Sequence, residues 1–183
     1  MSKPQSVSDT DLIQRLKATV RDVPDFPKQG IVFKDITPVL ADRELFPLVA
    51  KAMAAPFARA EISYVVGVES RGFILGAPVA MELGAGFIPV RKPGKLPYRT
   101  AGAEYALEYG TDRLEIHADA CDRDSRVLVV DDVLATGGTA STTCGLVESL
   151  GGVVVGCSFL IVLSFLPGQA ALSGRRVESL VTY

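Results

Sequence analysis

A short apolar run, then a polar turn, then a helix-patterned segment: this order recurs along the chain and constrains its fold more than any other feature. Ile62–Val68 is strand-like, Glu69-Ser70-Arg71-Gly72 is a turn, and GFILGAPVAMELG reads as a helix. Residues 126–130 are strand-like again, the next turn covers 131–139, and a helix follows over 137–150. Strand 153–163, a short helix near 167–173 and strand 177–182 close the series. Parallel strands need crossovers of about a dozen residues or more, usually helices. The order therefore predicts an α/β fold, a mostly parallel twisted sheet flanked by helices. Phe87–Val90 adds a short strand ending in RKPGKLP, and EYALEY and RLEIHA alternate about a Gly-Thr-Asp turn, as a hairpin does.

Upstream of the sheet, residues 9–21 show helical spacing of Leu12, Ile13, Leu16 and Val20, with Ser8 as cap. The prolines and glycine of DVPDFPKQGIVFKDITPVL predict an ordered loop, and residues 44–60 return to a helical pattern. A length of 183 residues suits one domain, 1–183, with no need of a metal or disulfide staple. The apolar run at 153–166 has 14 residues, short of the roughly 20 of a membrane helix. The N-terminal MSKPQSVSDT lacks an apolar signal core. With 19 basic and 21 acidic residues, no basic excess points to duplex nucleic acid. Three cysteines without a C-x-x-C pair read as small apolar residues of a reduced, cytoplasmic chain. One histidine, His117, excludes a His-rich metal site, and it is expected to face solvent on the second hairpin strand.

In open parallel sheets, ligands sit beyond the carboxyl ends of the strands. Three polar turns fall there: 69–72, 91–95 and 131–139. Ala135-Thr136-Gly137-Gly138-Thr139 leaves a strand and opens a helix, whose first N–H groups and partial positive charge suit a phosphate. A plain Gly-rich turn with Thr139 as cap explains the same residues equally well. Asp131 and Asp132 decide between them. Two carboxylates would repel a bare anion, but they match vicinal hydroxyls as acceptors and suit Mg²⁺, which prefers oxygen. A sugar phosphate carrying a magnesium diphosphate meets all these demands. Neither a Gly-Lys-Ser/Thr loop nor G-x-G-x-x-G is present.

VLVVDDVLATGGTA resembles the phosphoribosyl-pyrophosphate motif of the type I phosphoribosyltransferases. DFPKQGIVFKDITPVL, GVESRGFILG, VRKPGKLP and LEYGTDRLEIHADA resemble further blocks of the branch that uses adenine, in the same order, over roughly residues 23–165. The resemblance implies transfer of the 5-phosphoribosyl group from phosphoribosyl pyrophosphate to adenine, giving AMP and pyrophosphate, with Mg²⁺ as cofactor and a homodimer as the assembly. It implies a small hood at about 23–40 and a β-hairpin lid at about 93–118. Asp131 and Asp132 inherit the ribose hydroxyls, with Mg²⁺ reached through water. Ala135, Thr136, Gly137, Gly138 and Thr139 inherit the 5′-phosphate. Ser70 and Arg71 inherit the pyrophosphate, near a peptide that is often cis in the family. Arg91, Lys92 and Lys95 resemble its second binding group, although an exposed basic loop accounts equally for Lys95. Val32, Phe33 and Lys34 resemble the adenine site, with Phe33 stacking on the base; a core residue pinning an irregular loop is the other reading of Phe33. Glu108 and Tyr109 resemble the catalytic lid, Glu108 exchanging a proton with the purine and Tyr109 covering the site.

Two rivals remain. A 6-oxopurine enzyme resembles this family but uses a lysine in its C-terminal half, and no lysine follows Lys95 here. A non-enzymatic regulator of the same fold that senses the activated sugar would show an added basic module, which this composition lacks.

Overall fold

The computed structural model describes residues 8–106 and 111–183. The chain divides into two compact units, residues 1–49 and 50–183. The division falls inside one helix, α3 (Leu45–Ala54).

In the first unit, α1 (Asp9–Thr19) is capped by the Ser8 hydroxyl, which accepts from the Asp11 N–H. The expected helix stops two residues early because Val20 turns extended and Arg21 begins a strand. The expected loop is also more regular than the sequence suggests. Strands β1 (Arg21–Pro24) and β2 (Val32–Asp35) pair antiparallel, and α2 (Thr37–Ala41) follows. The turn between the strands closes because Asp25 and Gly30 take positive φ, and the Gly30 N–H donates to Asp25 Oδ1 at 2.7 Å. Prolines at the edge of a two-stranded ribbon cost no ladder bonds, so the pair tolerates them.

The second unit is built on a five-stranded sheet in the order β4-β3-β7-β8-β9, every neighbouring pair parallel. The strands are β3 (Tyr64–Val68), β4 (Gly86–Val90), β7 (Arg126–Leu134), β8 (Val153–Val162) and β9 (Val177–Thr182). Helices α4 (Arg71–Leu83), α5 (Gly138–Ser149) and the short α6 (Gly168–Ala171) connect them, and the 3₁₀ turn Ala55–Phe57 precedes β3. The remaining strands, β5 (Thr100–Ala106) and β6 (Thr111–His117), form the expected antiparallel hairpin. None of the described helices is long and apolar enough to cross a membrane.

β8 shows why an apolar run of this kind becomes a central strand. Its last seven residues are all buried, including Phe159 and Leu160. Covered on both faces, it has no need of polar alternation. Burying each such side chain contributes about 1.5–3 kcal/mol before chain entropy is counted. One cluster joins Val66, Val68, Val90 and Leu114 with Leu146 and Val147 of α5. A second joins Val129, Leu134 and Phe159 with Ala140 and Cys144 of α5. Both pin α5 to the sheet.

α4 lies unusually close to β3. A Cβ on Gly67 would come within 2.6 Å of the Gly72 carbonyl, and one on Gly76 within 2.9 Å of the Phe87 ring. Small residues on the facing strand and helix allow this approach, which carries Arg71 to the end of β7.

His117 departs from its expected exposure. Its Nε2 is buried without a hydrogen-bond partner, and its ring meets Tyr98 edge-on at 6.3 Å. The hairpin base folds back, with the Ala118 N–H donating to the Arg99 carbonyl, so the strand's end is covered rather than free.

Candidate active site

Because β4, β3 and β7 are parallel neighbours, their carboxyl ends lie along one edge of the sheet. The segments that leave them are those the sequence singles out: 91–95, 69–72 and the residues after Leu134. The third boundary differs from expectation. β7 runs on through Asp131 and Asp132 to Leu134, because Asp131, Val133 and Leu134 stay in register with Phe159, Ile161 and Val162 of β8. The two carboxylates therefore sit on the last turn of a rigid strand rather than in a loop.

Successive strand residues point to opposite faces, and the two aspartates diverge accordingly. Asp132 is 4 % exposed and ion-paired with the Arg71 guanidinium, 61 residues earlier in the chain. Asp131 is half-buried, and its Oδ1 accepts the Asp132 N–H at 2.9 Å. Burial pushes the Asp131 carboxyl well above the usual carboxylate range. The neighbouring Asp132 charge adds to the push, while the Asp132 N–H and the Arg71 charge oppose it. Gly72 makes room for this group: a Cβ there would meet Asp131 Oδ1 at 2.9 Å.

The turn after β7 passes through Gly137 at φ +83, the N-cap of α5, a conformation that favours glycine. A Cβ at Gly137 would also come within 2.8 Å of the Gly168 carbonyl. Among the described residues no side chain caps α5, so Thr139 does not serve as the cap that a plain turn would use. The Thr139 carbonyl instead accepts from the Thr143 hydroxyl at 2.8 Å. Ala135 is half-buried, Thr136 exposed, Gly138 and Thr139 half-buried. An uncapped helix start next to two carboxylates can take an anion whose remaining groups are hydroxyls.

The turn at 69–72 contains a cis peptide between Glu69 and Ser70. Ser70 is exposed and begins α4 without a side-chain cap. Glu69, given no role in the sequence, grips Arg91 in a two-pronged pair at 3.1 Å to each oxygen and accepts the Lys92 N–H at 3.3 Å. This holds the Glu69 carboxyl below its ordinary range, Arg91 being the main cause. Arg91 also donates to the Lys95 carbonyl at 3.1 Å and lies over the Phe73 ring. The Lys92 ammonium pairs with Asp112 at 3.1 Å, and Lys95 is exposed. Glu69 and Asp112 went unassigned because their partners are fixed by strand order and hairpin register, which no local motif displays.

The residues expected from the sequence to bind adenine lie on β2 in the first unit. Val32 is 50 % exposed, and Phe33 is half-buried with its ring 5.2 Å from Phe26, edge to face. The Lys34 ammonium reaches Asp22 at 2.6 Å. Glu108 and Tyr109 lie outside the described residues.

No cluster of three or more His, Cys, Asp or Glu residues suited to a metal occurs among the described residues. The paired carboxylates Asp131 and Asp132 fit Mg²⁺ of the kind that keeps its waters and is held largely by substrate oxygens.

This sheet, with its acidic strand end and glycine-rich turn along one edge, has a phosphoribosyltransferase fold. The family model for the phosphoribosyl transferase domain matches residues 40–171. The chain is 59 % identical over 178 residues to adenine phosphoribosyltransferase of Myxococcus xanthus, covering 97 % of each. The crystal structure of the Rhodothermus marinus adenine phosphoribosyltransferase superposes with a TM-score of 0.91 at 53 % identity, covering 95 % of this chain and 99 % of that one. The Saccharomyces cerevisiae enzyme, solved with adenine and an imino-altritol bisphosphate, gives 0.88 at 39 % identity, covering 93 % and 99 %. The chain belongs to the adenine phosphoribosyltransferase family.

Proposed function

We propose that this chain is a purine-salvage enzyme that transfers the 5-phosphoribosyl group from phosphoribosyl pyrophosphate to adenine, releasing AMP and pyrophosphate. The observation that carries the reading is the junction of β7 and α5, where a carboxylate pair on a strand meets a helix start that no side chain caps among the described residues. The adenine found in the yeast relative supports the choice of base.

In this reading, the ionised carboxylates of Asp131 and Asp132 accept from the two ribose hydroxyls. The amides and hydroxyls of Ala135–Thr139 take the 5′-phosphate. As the bond to the diphosphate lengthens, positive charge grows on the ribose carbon, and the fixed carboxylate charges lie on its side of the site. Arg71, with Ser70, receives the departing diphosphate together with Arg91, Lys92 and Lys95. Arg71 already holds Asp132, so it orients the ribose carboxylates and the leaving group at once. Phe33 stacks on adenine while main-chain groups of Val32 and Lys34 read its edge. Glu108 exchanges the purine proton, and Tyr109 covers the site. No covalent intermediate with the protein is needed, so most of the acceleration comes from positioning and preorganised charge. When bound, Mg²⁺ neutralises charge on the diphosphate, and Asp131 and Asp132 would hold it through water.

A homodimer and a cytoplasmic location complete the proposal. Ile74 and Met81, 44 % and 83 % exposed on one face of α4, offer apolar surface that a second copy would cover. The three cysteines are free thiols, consistent with a reducing compartment.

The test offers adenine, hypoxanthine, guanine, xanthine or orotate in turn, with Mg²⁺ and phosphoribosyl pyrophosphate, and measures nucleotide formed. AMP from adenine alone is expected. Nucleotide from another base, or from none, overturns the reading.

A further inference from the structure

Asp112, early in β6, makes contacts that the catalytic scheme leaves unused. Its Oδ2 lies 3.1 Å from the Lys92 ammonium and accepts the Tyr105 hydroxyl at 3.2 Å, while Oδ1 accepts the Arg113 N–H at 2.8 Å. Tyr105 is its cross-strand partner on β5. The Tyr105 ring packs against the core cluster that includes Leu146 and Val147 of α5. One carboxylate thus joins the basic loop after β4 to both strands of the hairpin.

We propose that Asp112 is a positioning residue, which aims Lys92 at the departing diphosphate. This role rests on the phosphoribosyl-transfer reading above. Lysine is a flexible point charge with three donors, so an unheld Lys92 samples many directions. Asp112 removes most of that freedom. The pair stays charged at neutral pH, because the Arg113 N–H and then Lys92 draw the Asp112 carboxyl down, while Asp112 draws the Lys92 ammonium up. Lys92 is 60 % exposed and Asp112 only 24 %, so the carboxylate is the fixed member and the ammonium the one it directs. A purely structural surface pair would change melting temperature and leave substrate constants alone.

Steady-state kinetics with Mg²⁺, phosphoribosyl pyrophosphate and adenine decide the matter, with melting curves as the control for folding. Asp112→Ala is expected to raise KM for phosphoribosyl pyrophosphate about tenfold, as a displaced positioning group does, with KM for adenine unchanged. Asp112→Asn, of the same shape, should raise it likewise and serves if the alanine variant is unstable. Asp112→Glu should recover part of the loss. In a Lys92→Met background, Asp112→Asn should add nothing further. An unchanged or lowered KM in Asp112→Asn, or the same rise with and without Lys92, overturns the role while wild-type turnover keeps the functional reading intact. No AMP from the wild type overturns both.

Discussion

Arg71 and Asp132 stand 61 residues apart in the chain and meet as an ion pair where α4 begins and β7 nears its end. The pair welds the segment assigned to the diphosphate to the one assigned to the ribose. It also separates two neighbouring carboxylates into different roles, since Asp132 is neutralised by a cation and Asp131 is not paired in this way.

The first prediction concerns Asp131. Burial raises its pKa, so folding holds the charged carboxylate less well than water does. A group shifted upward contributes stability that is fully present below its unfolded pKa, about 3.9, and lost as pH rises through the folded value. At neutral pH the ionised form is therefore a liability to folding. Asp131→Asn should melt at or above the wild-type temperature at pH 7.5, while kcat/KM falls by about 100-fold or more for want of a charged acceptor. Asp131→Asn with Asp132→Asn should stay folded and lose turnover. Calorimetry and an AMP assay on the same samples check this.

A second prediction follows from the approach of α4 to β3. Gly67→Ala drives a methyl against the Gly72 carbonyl, with atoms 2.6 Å apart before relaxation. Overpacking of this kind costs about 1–3 kcal/mol. Chemical denaturation should report that loss with an unchanged m-value. The moved helix should also lower activity through Arg71, although Gly67 bears no side chain to touch a ligand.

Glu148 and Arg175 allow a test of pH-dependent stability away from the site. They form a two-pronged pair at 2.5 and 2.9 Å, which holds the Glu148 carboxyl below 4.5. A carboxylate shifted downward contributes stability present above its unfolded pKa and lost as pH falls through the folded value. Glu148→Gln should therefore melt below the wild type at pH 7. The difference should vanish in acid, once both chains carry a neutral side chain. A difference that persists at pH 3 would show that the pair's charge is not what stabilises α5.

The thiols should react in a fixed order. Cys121 is half-buried, whereas Cys144 and Cys157 are fully buried with sulfurs 3.7 Å apart. Burial also raises the Cys121 pKa, so even this thiol should react slowly at neutral pH. A chromogenic disulfide reagent should titrate one thiol in the native protein and three in denaturant.

The sheet was legible in the sequence because its strands are short, apolar and separated by crossovers of helical length. β9 has the bounds expected of it, 177–182, and α5 differs by one residue at each end. Boundaries failed where a residue's meaning depends on its neighbour in space. Asp131 and Asp132 look like turn residues, but β8 keeps their backbone in the ladder. His117 looks like the polar end of an exposed strand, but the hairpin base covers it. β1 and β2 hide among prolines because a two-stranded ribbon asks little of its edges. At the candidate site, the glycine-rich turn and the acidic pair are contiguous in sequence and could be picked out there. Arg71 with Asp132, Arg91 with Glu69, and Lys92 with Asp112 join distant segments and needed the fold.

The central claim is that the end of β7 and the start of α5 hold the phosphoribosyl group. A crystal structure of the protein with Mg²⁺, phosphoribosyl pyrophosphate and a non-reacting adenine analogue tests it most directly. The ribose hydroxyls should lie within hydrogen-bond distance of Asp131 and Asp132, with the 5′-phosphate on the amides of residues 136–139. Density for the sugar at any other place on the molecule, with that junction left empty, would contradict the account.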